Sequence, residues 1–243
     1  MELKFFLSYI LILIPLILLY RENVGLEREL LISSIRAFLQ LLILGYALLS
    51  ILRLENLLGL TAILFTMVLF ATFTANRRIR IVNGYRIAFL SISISSLVVI
   101  GSTLLVGVLS LKANELIPIG GMIIGNALNS YTQTIERFKS EVKGGIESIE
   151  NFLALGTPLK EAFRLQIKVS IRASLIPIIN NLQTLGIIWI PGITAGMVLA
   201  GVDPIKAVFF QIVIMFSMVC VAVLTSYIAT NLSYKHILWE SSD

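Results

Sequence analysis

The chain has 243 residues, of which 57% are hydrophobic and only 14% charged, with a mean hydropathy of +0.94. Soluble domains carry roughly a quarter charged residues, so this composition excludes a water-soluble globular fold and marks a membrane protein whose length counts spans. A net charge of +5 would point to nucleic acid in a soluble domain, but here the cations collect in particular loops, which reports orientation instead.

Each helical crossing needs about 20 apolar residues, and runs this long and apolar are helices because lipid offers the backbone no hydrogen-bond partners. Hydropathy marks seven candidate spans, at about 3–20, 30–52, 57–75, 87–109, 117–135, 175–190 and 205–231. The first leads into Arg21-Glu22-Asn23 with no small-x-small cleavage pattern, so it reads as a span rather than a signal peptide.

In the second span, Ser33, Arg36 and Gln40 share one helical face. Arg36 either snorkels to the interface or lines an internal cavity. The loop 76–86 carries Arg77, Arg78, Arg80 and Arg86, and the charged amphipathic stretch 136–172 carries seven more cations, so both are expected in the cytoplasm. Threading the spans through these constraints puts the N-terminus outside and the C-terminus inside, with fourteen of the 19 Lys and Arg on the inner side.

The fifth span is the most polar, with Met122, Asn126, Asn129, Ser130 and Gln133 recurring every three or four residues. Such a stripe serves either interhelical hydrogen bonding or a substrate-facing surface. The sixth span adds Asn180, Asn181, Gln183 and Thr184, interrupted by Pro177, and the seventh adds Gln211. Between Pro191 and Pro204 lies an apolar segment too short to cross, which fits a re-entrant or outer-face element. Gly121/Gly125 and Gly192/Gly196 repeat a GxxxG spacing, as an internal repeat or as close-packing sites.

Cys220 is the one cysteine and His236 the one histidine, which excludes a disulfide framework and a Cys/His zinc cluster. Met122, Met215, Met218 and Cys220 are the weak candidates for a soft-metal site, and methionine is ordinary packing material in helical bundles. No GxxxxGK[ST] phosphate loop, HExxH helix or nucleophile–base pair is present, so no catalytic residue and no cofactor are expected in this chain, nor nucleic-acid binding.

Within 136–172, Gly156 is expected to end one helix, and Thr157-Pro158 to cap and start a second. The apolar residues Ile149, Phe152, Leu153, Leu159 and Phe163 then form a knob ringed by charge, the anchor set of helix-in-groove docking. Glu150, six residues before Gly156, resembles the coupling-loop spacing of ABC-transporter permeases, although Pro177 lies beyond the place of the closing proline in the importer pattern.

Over nearly the whole chain, Arg36-Ala37-Phe38-Leu39-Gln40-Leu41, the run from Ile117 to Asn126, the Glu150–Arg164 stretch and the segment from Asn180 to Pro204 resemble the FetB/YbbM-like family of ABC-transporter permeases. That family is linked to iron export in bacteria and is related to plant aluminium-tolerance proteins. Its PGMMTGQ-like string stands here as Pro191-Gly192-Ile193-Thr194-Ala195-Gly196-Met197, which leaves the site less polar.

The resulting expectation is an all-α, polytopic membrane protein of about seven transmembrane helices, one permease domain over 1–243, in the cell membrane. The resemblance implies a homodimer paired with a separate cytoplasmic ATPase that binds the ATP, and export of an iron-like metal ion. Arg36, Gln40, Asn126, Asn129, Gln133, Asn180 and Gln183 are the expected pathway, and Glu150, Phe152, Gly156 and Phe163 the expected coupling surface. The alternative is a self-contained channel or secondary carrier for a small solute.

Overall fold

The computed structural model describes residues 10–53 and 56–237. Residues 3–9 of the expected first span, with Lys4, lie outside the described residues. The chain is almost entirely helical and falls into two compact units, Met1–Leu54 and Glu55–Asp243.

The first unit is a helical pair, α1 (Ile10–Arg21) and α2 (Glu27–Leu52), packed on each other. The second holds α3 (Leu57–Arg78), α4 (Gly84–Leu105), α5 (Ala113–Gly144), α6 (Ile146–Ala154), α7 (Leu159–Ala162), α8 (Arg164–Thr184), α9 (Gly192–Leu199) and α10 (Pro204–Ile237). Asn56 caps α3 by accepting the Gly59 N–H at 2.7 Å.

Helix α5 is the axis of the second unit, packed against α3, α4, α8 and α10. Leu116, Ile123, Ala127, Tyr131, Ile135, Phe138 and Val142 are buried, while Asn129, Gln133, Glu136, Arg137 and Ser140 stay exposed along one face. A helix wrapped by protein need not offer lipid an apolar surface, which is why α5 tolerates so many polar residues.

Among the described residues, four helices are long and apolar enough to cross a membrane: α3, α4, α10 and the Glu27–Ala47 part of α2. These four are among the about seven expected spans. The described part of α1 has 12 residues, α5 carries its polar face, and α8 begins at Arg164 and includes Lys168 and Arg172.

Several local expectations change. Stretch 136–172 is not one water-facing segment: its first nine residues complete α5 and its last nine begin α8. Pro177 does not interrupt α8, which runs through it. Pro158, not Thr157, precedes α7, and no side chain caps that helix. The Ile190–Met197 echo of the Ile117–Met122 motif forms the short helix α9, whereas the first motif sits inside the long α5, so the two are not equivalent halves of a repeat. A Cβ added at Gly125, Gly192 or Gly196 would meet nothing within 4 Å, whereas at Gly120 it would come within 2.5 Å of Leu64. The tightest approach on α5 is thus at Gly120, against the Leu64 side chain, rather than at the GxxxG glycines.

Candidate functional site

The link from α5 to α8 is a hook, and its shape follows from one glycine. Gly156 has φ +82°, a left-handed conformation open to glycine at little cost. Its N–H donates to the Leu153 carbonyl at 3.0 Å and the Thr157 N–H to the Phe152 carbonyl at 3.0 Å, the paired bonds of a Schellman stop. The expected stop at Gly156 is therefore present, and the chain reverses there into α7.

The hook's apolar residues divide between two sides. Ile149 and Phe163 are fully buried. The Phe163 ring packs edge-on against Phe138 of α5 at 6.0 Å and against Tyr234 of α10 at 6.4 Å. Phe163 is thus corrected from an outward anchor to the residue that fastens the hook to the helix bundle, because two aromatic rings from other helices offer it more burial than water does. Phe152 and Leu155 point outward, 50% and 82% exposed, beside exposed Glu150. Arg164 pairs with Glu161 at 3.3 Å on the same outer side.

Beyond the hook, α5 and α8 wall a cleft of about 560 Å³ lined by Gln133, Glu136, Arg137, Ser140, Ala173, Ile176 and Pro177. Arg137 is held by Glu141 at 2.6 Å. Pro177 has no N–H to give the carbonyl of Ala173, so the cleft wall contains a backbone acceptor without its helical donor. Asn180 and Gln183 continue the α8 face of Ile176 by one and two turns, and both are exposed. Asn129 continues the α5 face above Gln133 and is exposed too.

Asn126 is different. Its Nδ2 donates to the Met218 carbonyl of α10 at 2.7 Å, so this member of the stripe ties two helices together. Arg36 and Gln40 lie exposed on α2 in the first unit, whereas the other expected pathway residues lie in the second.

A buried hydroxyl seam behind the cleft was not anticipated. The Thr134 hydroxyl donates to Ser226 Oγ at 2.9 Å, Ser174 Oγ lies 3.0 Å from the same Ser226 oxygen, and Ser95 Oγ lies 2.6 Å from Thr225 Oγ1. Four helices are joined by these contacts, and Thr194 of α9 adds a bond to the buried Gln211 of α10 at 3.3 Å. The available signal was the recurrence of Ser and Thr along α10 at 217, 225, 226, 230 and 233.

The soft-metal candidates stand in different surroundings. Met215 and Met218 pack with Ile178, Ala222 and Leu175 in an apolar cluster between α8 and α10, whereas Cys220 is exposed. Met122 is half-buried on α5. Among the described residues no group of three or more His, Cys, Asp and Glu stands close enough to hold a metal ion.

The cationic segments predicted to share one side do meet in the second unit. Lys139 Nζ donates to the Arg80 carbonyl at 3.3 Å, joining the α3–α4 turn to the end of α5 beside the hook. Lys112 and Lys206 start α5 and α10 at their opposite ends.

Comparison with known proteins agrees with this architecture. The chain is 31% identical to the "Probable iron export permease protein FetB" of Escherichia coli, over 94% of this chain and 89% of that one. It is 34% identical to the "UPF0014 membrane protein YjkA" of Bacillus subtilis, covering 95% and 93%. It is 33% identical to "Protein ALUMINUM SENSITIVE 3" of Arabidopsis thaliana, covering 93% and 84%. No solved structure matches the chain. The family model described as "Uncharacterised protein family (UPF0014)" matches residues 3–238, and the chain belongs to this family of multi-pass membrane proteins.

Proposed function

We propose that the chain is the permease subunit of an ABC-type exporter, driven by a separate cytoplasmic ATPase that binds and hydrolyses the ATP. The observation that carries this reading is the hook. It joins the two helices that wall the polar cleft, its Phe163 fastens it to Phe138 of α5 and Tyr234 of α10, and it leaves Phe152 and Leu155 outside. A soluble partner that grips the outer residues can move α5 and α8 without unfolding the turn.

In this reading two copies face each other across the open polar faces of α5 and α8, which hydrocarbon would solvate poorly. The pathway runs along Asn129, Gln133, Asn180 and Gln183. The substrate is an iron-like metal ion, a class supported by the name of the Escherichia coli relative and by the oxygen-bearing cleft wall of Gln133, Glu136 and the Ala173 carbonyl. The hook lies in the cytoplasm, with the N-terminus outside and the C-terminus inside a cell membrane.

Capture of ATP-hydrolysing protein from a cell lysate by the immobilised full chain tests the coupling role. Phe152→Asp and Leu155→Asp place charge in an apolar groove and should each lower capture about tenfold or more, with the chain still folded. Capture at the level of the unaltered chain by both variants overturns the coupling role and favours a self-contained channel or carrier. Orientation and pairing are read with single cysteines in a Cys220→Ser background. Cysteines at Lys112 and Lys143 should react with an impermeant reagent from opposite sides, and a cysteine at Asn129 should cross-link two copies. Labelling of both from outside defeats the orientation, and a wholly uncross-linked Asn129→Cys chain defeats the pairing.

A further inference from the structure

A second cleft, which shares Glu136 and Ser140 with the pathway cleft, opens on the other side of α5, between the α3–α4 turn and the last turns of that helix. It encloses about 680 Å³ and is lined by Arg77, Arg78, Arg80, Lys139, Lys143 and Ser140, with Ile79 at its floor and Glu136 as its one carboxylate. Five cations therefore face one anion. Lys139 links the two walls through the Arg80 carbonyl, and Ile79 and Ile81 are buried on either side of Arg80, which fixes the turn. Among the described residues no ion pair engages Arg77, Arg78, Arg80 or Lys143.

A row of cations on one loop is the ordinary mark of orientation. This cleft goes beyond that, because Lys139, Lys143 and Ser140 come from a third helix and converge on the same space as the arginines. Like charges this close repel unless a counter-charge occupies the space between them. The cleft also sits where α3 ends and α4 begins, two helices long enough to cross a membrane, and so at the depth where hydrocarbon gives way to phosphate groups.

We propose that this cleft binds the phosphate of an anionic phospholipid headgroup. Guanidinium groups match phosphate oxygens in pairs, the lysines add point charges, and the Ser140 hydroxyl supplies a further donor. A zwitterionic headgroup brings its own cation into a cleft already rich in them, so the site discriminates by net charge. Free phosphate shares the chemistry but lacks the acyl chains that would hold it at this depth.

The test uses the full chain in neutral detergent, titrated with phosphatidylglycerol or phosphatidylcholine in mixed micelles, with bound lipid read by native mass spectrometry. Phosphatidylglycerol should be retained about tenfold better. Arg78→Gln and Lys143→Gln should each weaken that retention about fivefold, the worth of one cation near an anionic surface. Phosphatidylcholine retention should not change, Arg78→Lys should restore most of the loss, and Lys112→Gln at the opposite end should have no effect. Equal retention of the two lipids overturns the proposal. Complete displacement of phosphatidylglycerol by millimolar inorganic phosphate would instead assign the cleft to free phosphate. Unchanged lipid selectivity in Arg78→Gln, together with lost capture of the ATPase, would make the cleft a protein interface. Because the lipid readout needs no transport, its failure leaves the exporter reading standing.

Discussion

Gln133 and Thr134 are neighbours in sequence and opposites in circumstance. Thr134 is fully buried, donates to Ser226, and belongs to the seam that holds four helices together. Gln133 faces the open cleft across from Ile176 and Pro177. Both are polar residues in one helix, so polarity within the bundle does not mark a pathway. The distinction is partnership: a side chain satisfied by a neighbouring helix serves packing, and one left open to a cleft is available to water or a substrate.

The largest effect that tests this distinction belongs to a residue on the packed side. Phe163→Ala should lower stability by about 3–5 kcal/mol, the usual cost of emptying a buried aromatic site, read as a fall in melting temperature of the purified chain. An unchanged melting temperature would mean that the hook is not fastened through this ring. On the open side, Gln133→Leu should lower metal export about tenfold, or ~1.4 kcal/mol in barrier terms, while stability stays within about 0.5 kcal/mol. Vesicle transport measured beside thermal unfolding checks both halves, and normal export would return the stripe to the packing class. The smallest effect is expected at the seam: Ser174→Ala removes one interhelical contact worth about 0.6 kcal/mol and should leave transport intact. A variant that unfolds normally yet fails to transport would move Ser174 from seam to pathway.

How far the sequence revealed this division depends on where each residue finds its partner. The apolar helices α3, α4 and α10 were plain from hydropathy, whereas charge placement gave the Arg77–Arg80 turn and the end of α5 a common side but not the Lys139 contact that joins them. The Gly156 stop was legible because a helix end with glycine is a local signal. Phe163 was misassigned because Phe152 and Phe163 look alike in an amphipathic stretch, and the rings of Phe138 and Tyr234, both distant along the chain, decide which is buried. The start of α8 was missed for a related reason. Lys168 and Arg172 assigned these residues to the charged amphipathic stretch rather than to the following span, but they occupy the exposed side of a helix whose other side buries Gln166 and Ser170. Asn126 shared its period with Asn129 and Gln133, and nothing local showed that its amide would reach the backbone of α10.

The meeting of Thr134, Ser174 and Ser226 has a mechanical consequence. It pins α5, α8 and α10 at one level near the middle of α8. At ~1.5 Å per residue, Arg164 at the hook end lies about 15 Å from Ser174, and Gln183 at the far end about 14 Å. Helix α8 is thus a lever whose two arms are nearly equal. A tilt about that fulcrum carries the hook and Gln183 in opposite directions by similar distances, so drawing the hook inward opens the far end of the cleft by about the same amount.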